Sequence, residues 1–315
     1  MPAIKKCRLC ASNKLETYLD LGFTPLADRF LNLHQLDEPE SYYPLKVILC
    51  KDCGLSQLTH TVDPRVLYQE EYAYDSSLTK TGNNHYFSFA ESVSKKLDLE
   101  PNDLVIDVGS NIGTLLEGFK KLGIKHLGID PATNIVRMAN ERGIETLPEF
   151  FTPKIASRVK EKYGFAKLIS ATNVFAHIYD HEEFMDALKI LLDPKGTFIF
   201  ESPHFLKLKK DGEYDTIYHE HLLYLGIKPV INYVKKFNME VFDVEEHPIH
   251  GGSIRVFIGY KDAHDVKITV KDLLKKEEEA QIYSIDSLHK FASDVHTHRY
   301  ELVHLIKDLK KILLT

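Results

Sequence analysis

From Leu104 onward the sequence alternates short apolar runs with helix-like segments, and this alternation limits the possible folds more than any other feature. The first strand candidates are 104–108, 126–130, 167–172 and 196–201, and helix-like segments lie between them at 114–122, 132–142 and 182–192. Alternating strands and helices favour a parallel sheet that is covered on both faces. Two later runs, 240–245 and 254–260, are separated only by a glycine-containing turn, which predicts an antiparallel hairpin at one edge. The fold class is therefore α/β.

The composition excludes some classes of protein. The chain has 315 residues, which is enough for two domains or slightly more. The net charge is −6, so no strong basic field favours nucleic acid as a partner. No apolar stretch reaches the length of about 18 residues that a membrane helix needs, and the N-terminus lacks the apolar core of a signal peptide. We therefore expect a cytoplasmic protein without a membrane segment.

Cys7, Cys10, Cys50 and Cys53 form two C-x-x-C pairs that are separated by 39 residues. Each pair lets two thiolates reach one ion from a tight turn, and two pairs supply the four sulfur ligands of tetrahedral zinc. Two disulfides or four buried thiols are the alternatives, although disulfides are rare in a reducing cytoplasm. Four cysteine ligands leave no open coordination position, so the predicted zinc has a structural role.

A glycine-containing loop follows the first strand of the alternating region. Asp107 ends the apolar run, Gly109 and Gly113 enclose the loop, and Asn111 stands where dinucleotide-binding proteins have their second glycine. Asp130, at the end of the next strand, is placed to bind ribose hydroxyls. A carboxylate at the strand tip would repel a pyrophosphate, so the loop suits a ligand with an amino group and a ribose, such as S-adenosylmethionine. The alternative is a glycine-rich turn of the kind found in any α/β protein.

Acid–base side chains are concentrated in loops after the later strands. Tyr218, Glu220 and His221 lie close together after the predicted strand 196–201, and His177 follows the predicted strand 167–172. In an open parallel sheet, ligands bind beyond the carboxyl ends of the strands, where these loops meet. A second metal site or solvated loop residues are the alternatives, but the histidines lack metal-binding spacing on a helix. The combination of residue types favours a catalytic role.

Taken together, these motifs resemble the bacterial sugar C-methyltransferases, which methylate a carbon of nucleotide-linked 4-keto deoxysugars. The matching stretches follow one another along nearly the whole chain, at 7–10, 50–53, 72–77, 107–113, 149–152, 172–178, 215–221 and 250–255. The resemblance implies a small four-cysteine zinc domain over 1–70. A Rossmann-like, S-adenosylmethionine-dependent methyltransferase core over 71–262 is expected to follow it.

The sequence departs from the family pattern at two places. The family has a Pro-Tyr pair after the strand that corresponds to 196–201, and its tyrosine is replaced by His204 here. The helix-like stretch at the end of the sequence stands where the family's C-terminal Rossmann-like domain would begin its first strand. We therefore expect 263–315 to be the helical start of a C-terminal domain that is truncated or absent.

The resemblance also assigns roles to individual residues. The chemistry that it implies is removal of a proton beside the ketone, followed by attack of the resulting enolate on the methyl sulfonium. His221 is the expected base, oriented by Glu220, while Tyr218 and His177 stabilise the enolate oxygen or hold the sugar. Tyr72 and Tyr74 are expected to close over the site. The expected cofactor-binding residues are Asp107, Gly109, Asn111, Gly113, Asp130, Phe150 and Asn173.

Two other functions remain open at the level of sequence. One is methyl transfer to oxygen or nitrogen of another small molecule. The other is a non-catalytic zinc-containing adaptor or a nucleic-acid-modifying protein, against which the net charge of −6 weighs.

Overall fold

A computed structural model describes residues 3–68 and 79–313. The strands are β1 Leu15–Thr24, β2 Tyr43–Cys50, β3 Ser56–Leu58, β4 Leu104–Val108, β5 Lys125–Ile129, β6 Thr146–Leu147, β7 Ala166–Thr172, β8 Leu192–Pro203, β9 Leu223–Tyr224, β10 Met239–His247 and β11 Ser253–Tyr260. The helices are α1 Pro64–Tyr68, α2 Lys80–Lys96, α3 Thr114–Lys121, α4 Thr133–Glu141, α5 Pro153–Tyr163, α6 His181–Leu191, α7 Phe205–Asp211, α8 Ile227–Val234, α9 Ile268–Glu279 and α10 Ile285–Leu313. None of these described helices has the length and apolar character needed to cross a membrane.

The larger sheet of the described chain has seven strands in the order β10-β11-β8-β7-β4-β5-β6. Strands β4, β5, β6, β7 and β8 pair in parallel, which confirms the predicted α/β class. The predicted hairpin of β10 and β11 is antiparallel. Its return strand β11 does not lie at the edge, because it inserts between β10 and β8 and is antiparallel to both. The result is a Rossmann-like sheet with one reversed strand.

Burial on both faces explains why the central strands are uniformly apolar. All five residues of β4 are buried, as are six of the seven residues of β7. Phe175, Phe198 and Phe200 are fully buried on these and adjacent segments, and the rings of Phe175 and Phe200 stack with their centroids 4.6 Å apart. Helix α5, which the alternating pattern did not predict, begins at a Thr152 cap followed by Pro153 at its first position.

The smaller sheet combines strands from both sides of the predicted domain boundary at residue 70. Its order in the described chain is β1-β2-β3-β9, all antiparallel, and β9 comes from the segment just after His221. Ser56 pairs with Tyr224, and Gln57 pairs with Leu223. The cysteine-containing part of the chain therefore shares its sheet with residues of the larger unit. Helix α10, which confirms the predicted helical character after 262, packs against β1.

Candidate active site

The four cysteine sulfurs come together where β1 and β2 pair. Leu15 of β1 lies opposite Cys50, so the antiparallel register brings the first C-x-x-C pair to the second. No disulfide joins these four described cysteines, and their Sγ atoms lie within 4.8 Å of one another, with those of Cys7 and Cys53 3.6 Å apart and those of Cys10 and Cys50 3.4 Å apart. Zinc–sulfur bonds of about 2.3 Å in a tetrahedron require sulfur separations of about 3.8 Å. The donor set and its spacing therefore fit a closed zinc site.

The glycine loop between β4 and α3 depends on left-handed backbone. Gly109 has φ +67°, and a methyl group there would collide with Cγ2 of Val174. Asn111 has φ +51°, a conformation that asparagine tolerates better than most residues. This explains how Asn111 can stand at a position where related loops use glycine. Gly113, with φ +80°, is the N-cap residue of α3, and a methyl group there would collide with Ile144. It shapes the start of the helix and is not among the described residues that line the cavity.

Asp130 closes this loop from the end of β5. Its Oδ2 accepts a hydrogen bond from the backbone N–H of Asn111 and its Oδ1 accepts one from Ala132, both at 2.9 Å. The side chain is only 7% exposed, and burial raises the pKa of its carboxyl. Each carboxylate oxygen still has a further lone pair. Asp130 can therefore accept a ribose hydroxyl while it holds the loop.

Asp107 is a buried carboxylate at the tip of β4. Parallel pairing places Ser170 of β7 beside it, and the Ser170 hydroxyl donates a 2.7 Å hydrogen bond to its Oδ1. Burial raises the pKa of Asp107 to about 7 despite that hydrogen bond, and the charge of Asp130 raises it further. A cationic group bound beside Asp107 would favour its ionised form. The ammonium of S-adenosylmethionine is such a group, so the residues of this strand tip fit that ligand.

A cavity of about 970 Å³ opens at the carboxyl ends of β4, β5, β7 and β8. Its opposite wall comes from the N-terminal part of the chain, at 63–65 and Tyr68, and from the loops 213–221 and 250–251. It is lined by all but one of the expected cofactor-binding and catalytic residues that the structure describes. These are Asp107, Gly109, Asn111, Asp130, Phe150, Asn173, His177, Tyr218, Glu220 and His221. Tyr72 and Tyr74 lie outside the described residues.

His221 is held by the backbone. Its Nδ1 lies 2.8 Å from the carbonyl oxygen of Thr216, so Nδ1 carries the proton and donates it, and Nε2 keeps its lone pair. The sequence had suggested the Glu220 carboxylate as the group that orients this ring, whereas the acceptor for Nδ1–H is this carbonyl. Burial, together with the nearby charge of His250, lowers the pKa of His221 to about 4. The ring is therefore neutral near pH 7.

Other ring side chains surround His221. The ring centroid of Tyr218 lies 4.1 Å from that of His221, and the centroid of His177 lies 4.8 Å away. Burial lowers the pKa of His177 well below its ordinary value, and the neighbouring His221 lowers it further. The hydroxyl of Tyr68 lies 3.5 Å from Nδ1 of His177, and the two rings stack. Neutral imidazoles and phenols thus face the cavity that the glycine loop also lines.

Sequence reasoning did not identify three of these groups. The carbonyl of Thr216 has no side-chain signature, although it lies in a stretch already noted for its resemblance to the family. Ser170 would follow from the β4–β7 register, which the sequence does not state. Tyr68 precedes the two tyrosines that had been expected at the site, and only the packing of α1 against His177 shows its position.

Comparison with known proteins agrees with this geometry. Three family descriptions match successive parts of the chain: a zinc binding domain at 7–68, a methyltransferase domain at 83–244 and a C-methyltransferase C-terminal domain at 248–312. The C-methyltransferase NovU from Streptomyces niveus is 32% identical over 305 residues, which cover 96% of this chain and 72% of that protein.

Two solved structures are also similar to the chain. A SAM-dependent methyltransferase from Anabaena variabilis ATCC 29413 is 16% identical, with a TM-score of 0.45 over 57% of this chain and 86% of the other. A magnesium protoporphyrin IX methyltransferase from Synechocystis PCC 6803, solved with bound S-adenosylhomocysteine, is 13% identical, with a TM-score of 0.45 over 62% of this chain and 92% of the other.

The N-terminal cysteines form the zinc site of this protein, and its methyl donor is S-adenosylmethionine. The 32% identity to NovU extends over nearly the whole chain. The chain therefore belongs to the family of zinc-containing, S-adenosylmethionine-dependent C-methyltransferases.

Proposed function

We propose that this enzyme methylates a carbon of a nucleotide-linked 4-keto deoxysugar, after removing a proton from that carbon. The observation that supports this most directly is the tautomer of His221. Its Nδ1–H is committed to Thr216, so a neutral imidazole with a lone pair on Nε2 lines the same cavity as the cofactor loop. An enzyme that methylates carbon needs such a base, because a C–H group has no lone pair with which to attack.

The proposed reaction has two steps. His221 Nε2 takes the proton from the carbon beside the ketone, and the electrons of that C–H bond form a carbon–carbon double bond as the ketone becomes an enolate. S-adenosylmethionine supplies an electrophilic methyl group. The enolate carbon then forms the new carbon–carbon bond while the methyl–sulfur bond breaks and its electrons stay on sulfur. Alignment of the carbon with the methyl group in the cavity is worth several orders of magnitude in rate.

The neighbours of His221 suit the charges that develop. The low pKa of His221 means that its protonated ring needs stabilisation, and Glu220, which is 4% exposed and lines the same cavity, is the residue that we assign to this role. Tyr218 and His177 provide donors for the enolate oxygen. We also propose that Tyr72 and Tyr74 close over the site.

The character of the cavity also supports a small-molecule substrate. Arg65 is the one lysine or arginine among the described residues that line it. A nucleic acid would need a much more basic surface. We therefore propose that nucleic acid is not a partner, and that the enzyme works in the cytoplasm, where reduced thiols of a zinc site persist.

Hydrogen exchange at the substrate carbon tests the proposal. The protein would be mixed with thymidine diphosphate-4-keto-6-deoxyglucose in deuterated water without S-adenosylmethionine, and deuterium beside the ketone would be measured by mass spectrometry. We expect wash-in with the native enzyme and with Asp130→Ala, whose change lies in the cofactor loop, and none with His221→Ala. Exchange at the native rate in His221→Ala would show that the base is another group.

A further inference from the structure

Helix α9 inserts a fully buried carboxylate between segments that carry the active site. Glu277 is 0% exposed. Its Oε1 accepts a 2.7 Å hydrogen bond from Nε2 of His204, and the backbone N–H of Ile227 donates to both oxygens, at 2.8 and 3.0 Å. The hydroxyl of Tyr283 donates to Oε2. A buried charge is tolerated only with such partners, so the position of Glu277 depends on all of them.

The partners of Glu277 belong to loops that form the cavity wall. Pro203 lines the cavity at the end of β8, and His204 follows it directly. The backbone N–H of His204 donates a 2.9 Å hydrogen bond to the carbonyl oxygen of Gly252. Gly252 follows the cavity residue Gly251. The next residue, Phe205, donates its backbone N–H to the carbonyl of Leu225, 3.0 Å away. The backbone of His204 and Phe205 thus joins the end of β8 to the 250–252 loop and to the segment that leaves the His221 loop, and Glu277 holds the His204 side chain at this point.

Ile227 and Tyr283 hold the other end of that segment. Ile227 begins α8 three residues after β9, so the Glu277 carboxylate sits at the point where the chain leaves the small sheet. The ring of Tyr283 fills the space beside two glycines. A methyl group at Gly54, next to the second cysteine pair, would lie 2.7 Å from its Cδ1, and one at Gly226 would collide with its hydroxyl. One corner of the C-terminal helices therefore contacts the zinc site and the catalytic segment together.

We propose that Glu277 is a positioning residue for methyl transfer, acting through His204 and the N-terminus of α8 to fix residues 216–227 and hence the His221 ring. Helix α9 then acts on catalysis through this one carboxylate. This inference rests on the proposed role of His221, but it makes a separate prediction. A purely structural anchor would affect the melting temperature alone, whereas a positioning group also affects kcat in the folded enzyme.

The test compares Glu277→Gln with Leu273→Ala in the full chain. Leu273 lies one turn earlier on the same helix and is 2% exposed, so its truncation removes buried apolar contacts and leaves every hydrogen-bonding group of the Glu277 cluster in place. For Glu277→Gln we expect kcat to fall about tenfold to a hundredfold, since aligned catalytic groups tolerate little displacement. The dissociation constant of S-adenosylmethionine should stay within about twofold, because Asp107 and Asp130 are unchanged. Leu273→Ala should lower the melting temperature and leave kcat of the folded enzyme unchanged.

A second pair of variants covers the case in which Glu277→Gln does not fold. His204→Gln keeps a donor near the position of the imidazole Nε2, and His204→Leu removes it. The inference requires that His204→Gln retains kcat and that His204→Leu loses it. The inference is overturned if His204→Leu or Glu277→Gln lowers the melting temperature and leaves kcat unchanged, as we expect for Leu273→Ala.

Amide hydrogen exchange makes the result independent of the substrate. In Glu277→Gln, and in His204→Leu, the peptide covering 216–227 should exchange faster than in the native protein, while the 107–113 loop should not change. Unaltered exchange at 216–227 would overturn the positioning role. If the native enzyme transfers no methyl group to the keto sugar, the proposed substrate is wrong, and this exchange measurement still tests whether Glu277 orders residues 216–227.

Discussion

The backbone N–H of Leu58 donates a hydrogen bond to the carbonyl oxygen of Leu222, 2.9 Å away. Leu58 ends β3, a strand of the sheet that carries the zinc ligands, and Leu222 follows His221 directly. This hydrogen bond and the β3–β9 pairs make the small sheet continuous from the cysteines to the segment after His221. A change at the metal should therefore be felt at the active site.

Loss of a zinc ligand should disturb both the metal site and strand β9 beside the active site. We expect Cys50→Ser to lose its zinc, to melt at a lower temperature and to exchange amide hydrogens faster at 222–224, because β9 has its partner strand in the zinc sheet. Elemental analysis should find about one zinc per native chain, as one four-thiolate site requires. Asp52→Asn is the matched control, since Asp52 lies between Cys50 and Cys53 and binds Ser12 and Lys14 at the surface. A metal-free native protein that is folded with two disulfides would contradict the zinc assignment.

Alanine at Gly109 should abolish cofactor binding. The substitution combines a strained left-handed backbone with a collision against Val174, in the loop that lines the cavity. Gly123→Ala separates the two effects, because Gly123 has φ +74° and no atom within 4 Å of the added methyl. Calorimetry with S-adenosylhomocysteine should find no binding for Gly109→Ala and near-native affinity for Gly123→Ala. Equal loss in both variants would mean that the collision is irrelevant.

The charge of Asp107 should make stability and cofactor affinity change with pH in opposite directions. Its pKa is raised from 3.8 to about 7 in the folded protein, so folding favours the protonated form. Ionisation therefore opposes folding as the pH rises from about 4 to 7, by an amount on the order of a few kcal/mol above that window. Binding of the cationic cofactor should instead strengthen as pH rises through 7.

Asp107→Asn tests this directly. The neutral amide should raise the melting temperature of the cofactor-free protein at pH 8 relative to native, with little difference at pH 4. It should also weaken S-adenosylmethionine binding at pH 8 and remove its dependence on pH. Thermal melts and titration calorimetry at both pH values would measure these effects. A variant that is less stable than native at pH 8 would show that the carboxylate is already compensated.

Removal of the proposed base should affect chemistry and not cofactor binding. We expect His221→Ala to lower kcat by about two to four orders of magnitude, the usual contribution of a general base. The affinity for S-adenosylmethionine should stay near native, since the contacts of Asp130 with the loop are intact. His34→Ala, at an exposed histidine outside the cavity, should leave both quantities unchanged. Steady-state kinetics with the keto sugar and calorimetry would separate the two effects, and a near-native kcat in His221→Ala would eliminate it as the base.

The sequence alone determined the features that depend on local residue type. The alternating pattern predicted β4, β5, β7 and β8 because buried parallel strands must be apolar on both faces. The two C-x-x-C pairs predicted a zinc site, and Asp107 with the glycine loop predicted the cofactor site. Both predictions depend only on the types of side chain and their spacing along the chain. Chain position beyond the strand ends was enough to bring His177 and His221 to one cavity.

Tertiary structure decided the contacts that have no local signature. The carbonyl of Thr216 sets the proton on His221, and any residue type offers the same carbonyl. Strand β9 is two residues long and joins the zinc sheet through backbone pairing. A segment this short has no hydrophobic periodicity by which the sequence could predict it. Glu277 meets His204 from 73 residues away. Whether such a carboxylate is a solvated surface charge or a buried anchor depends on which side of α9 is covered, and only the packed chain determines that.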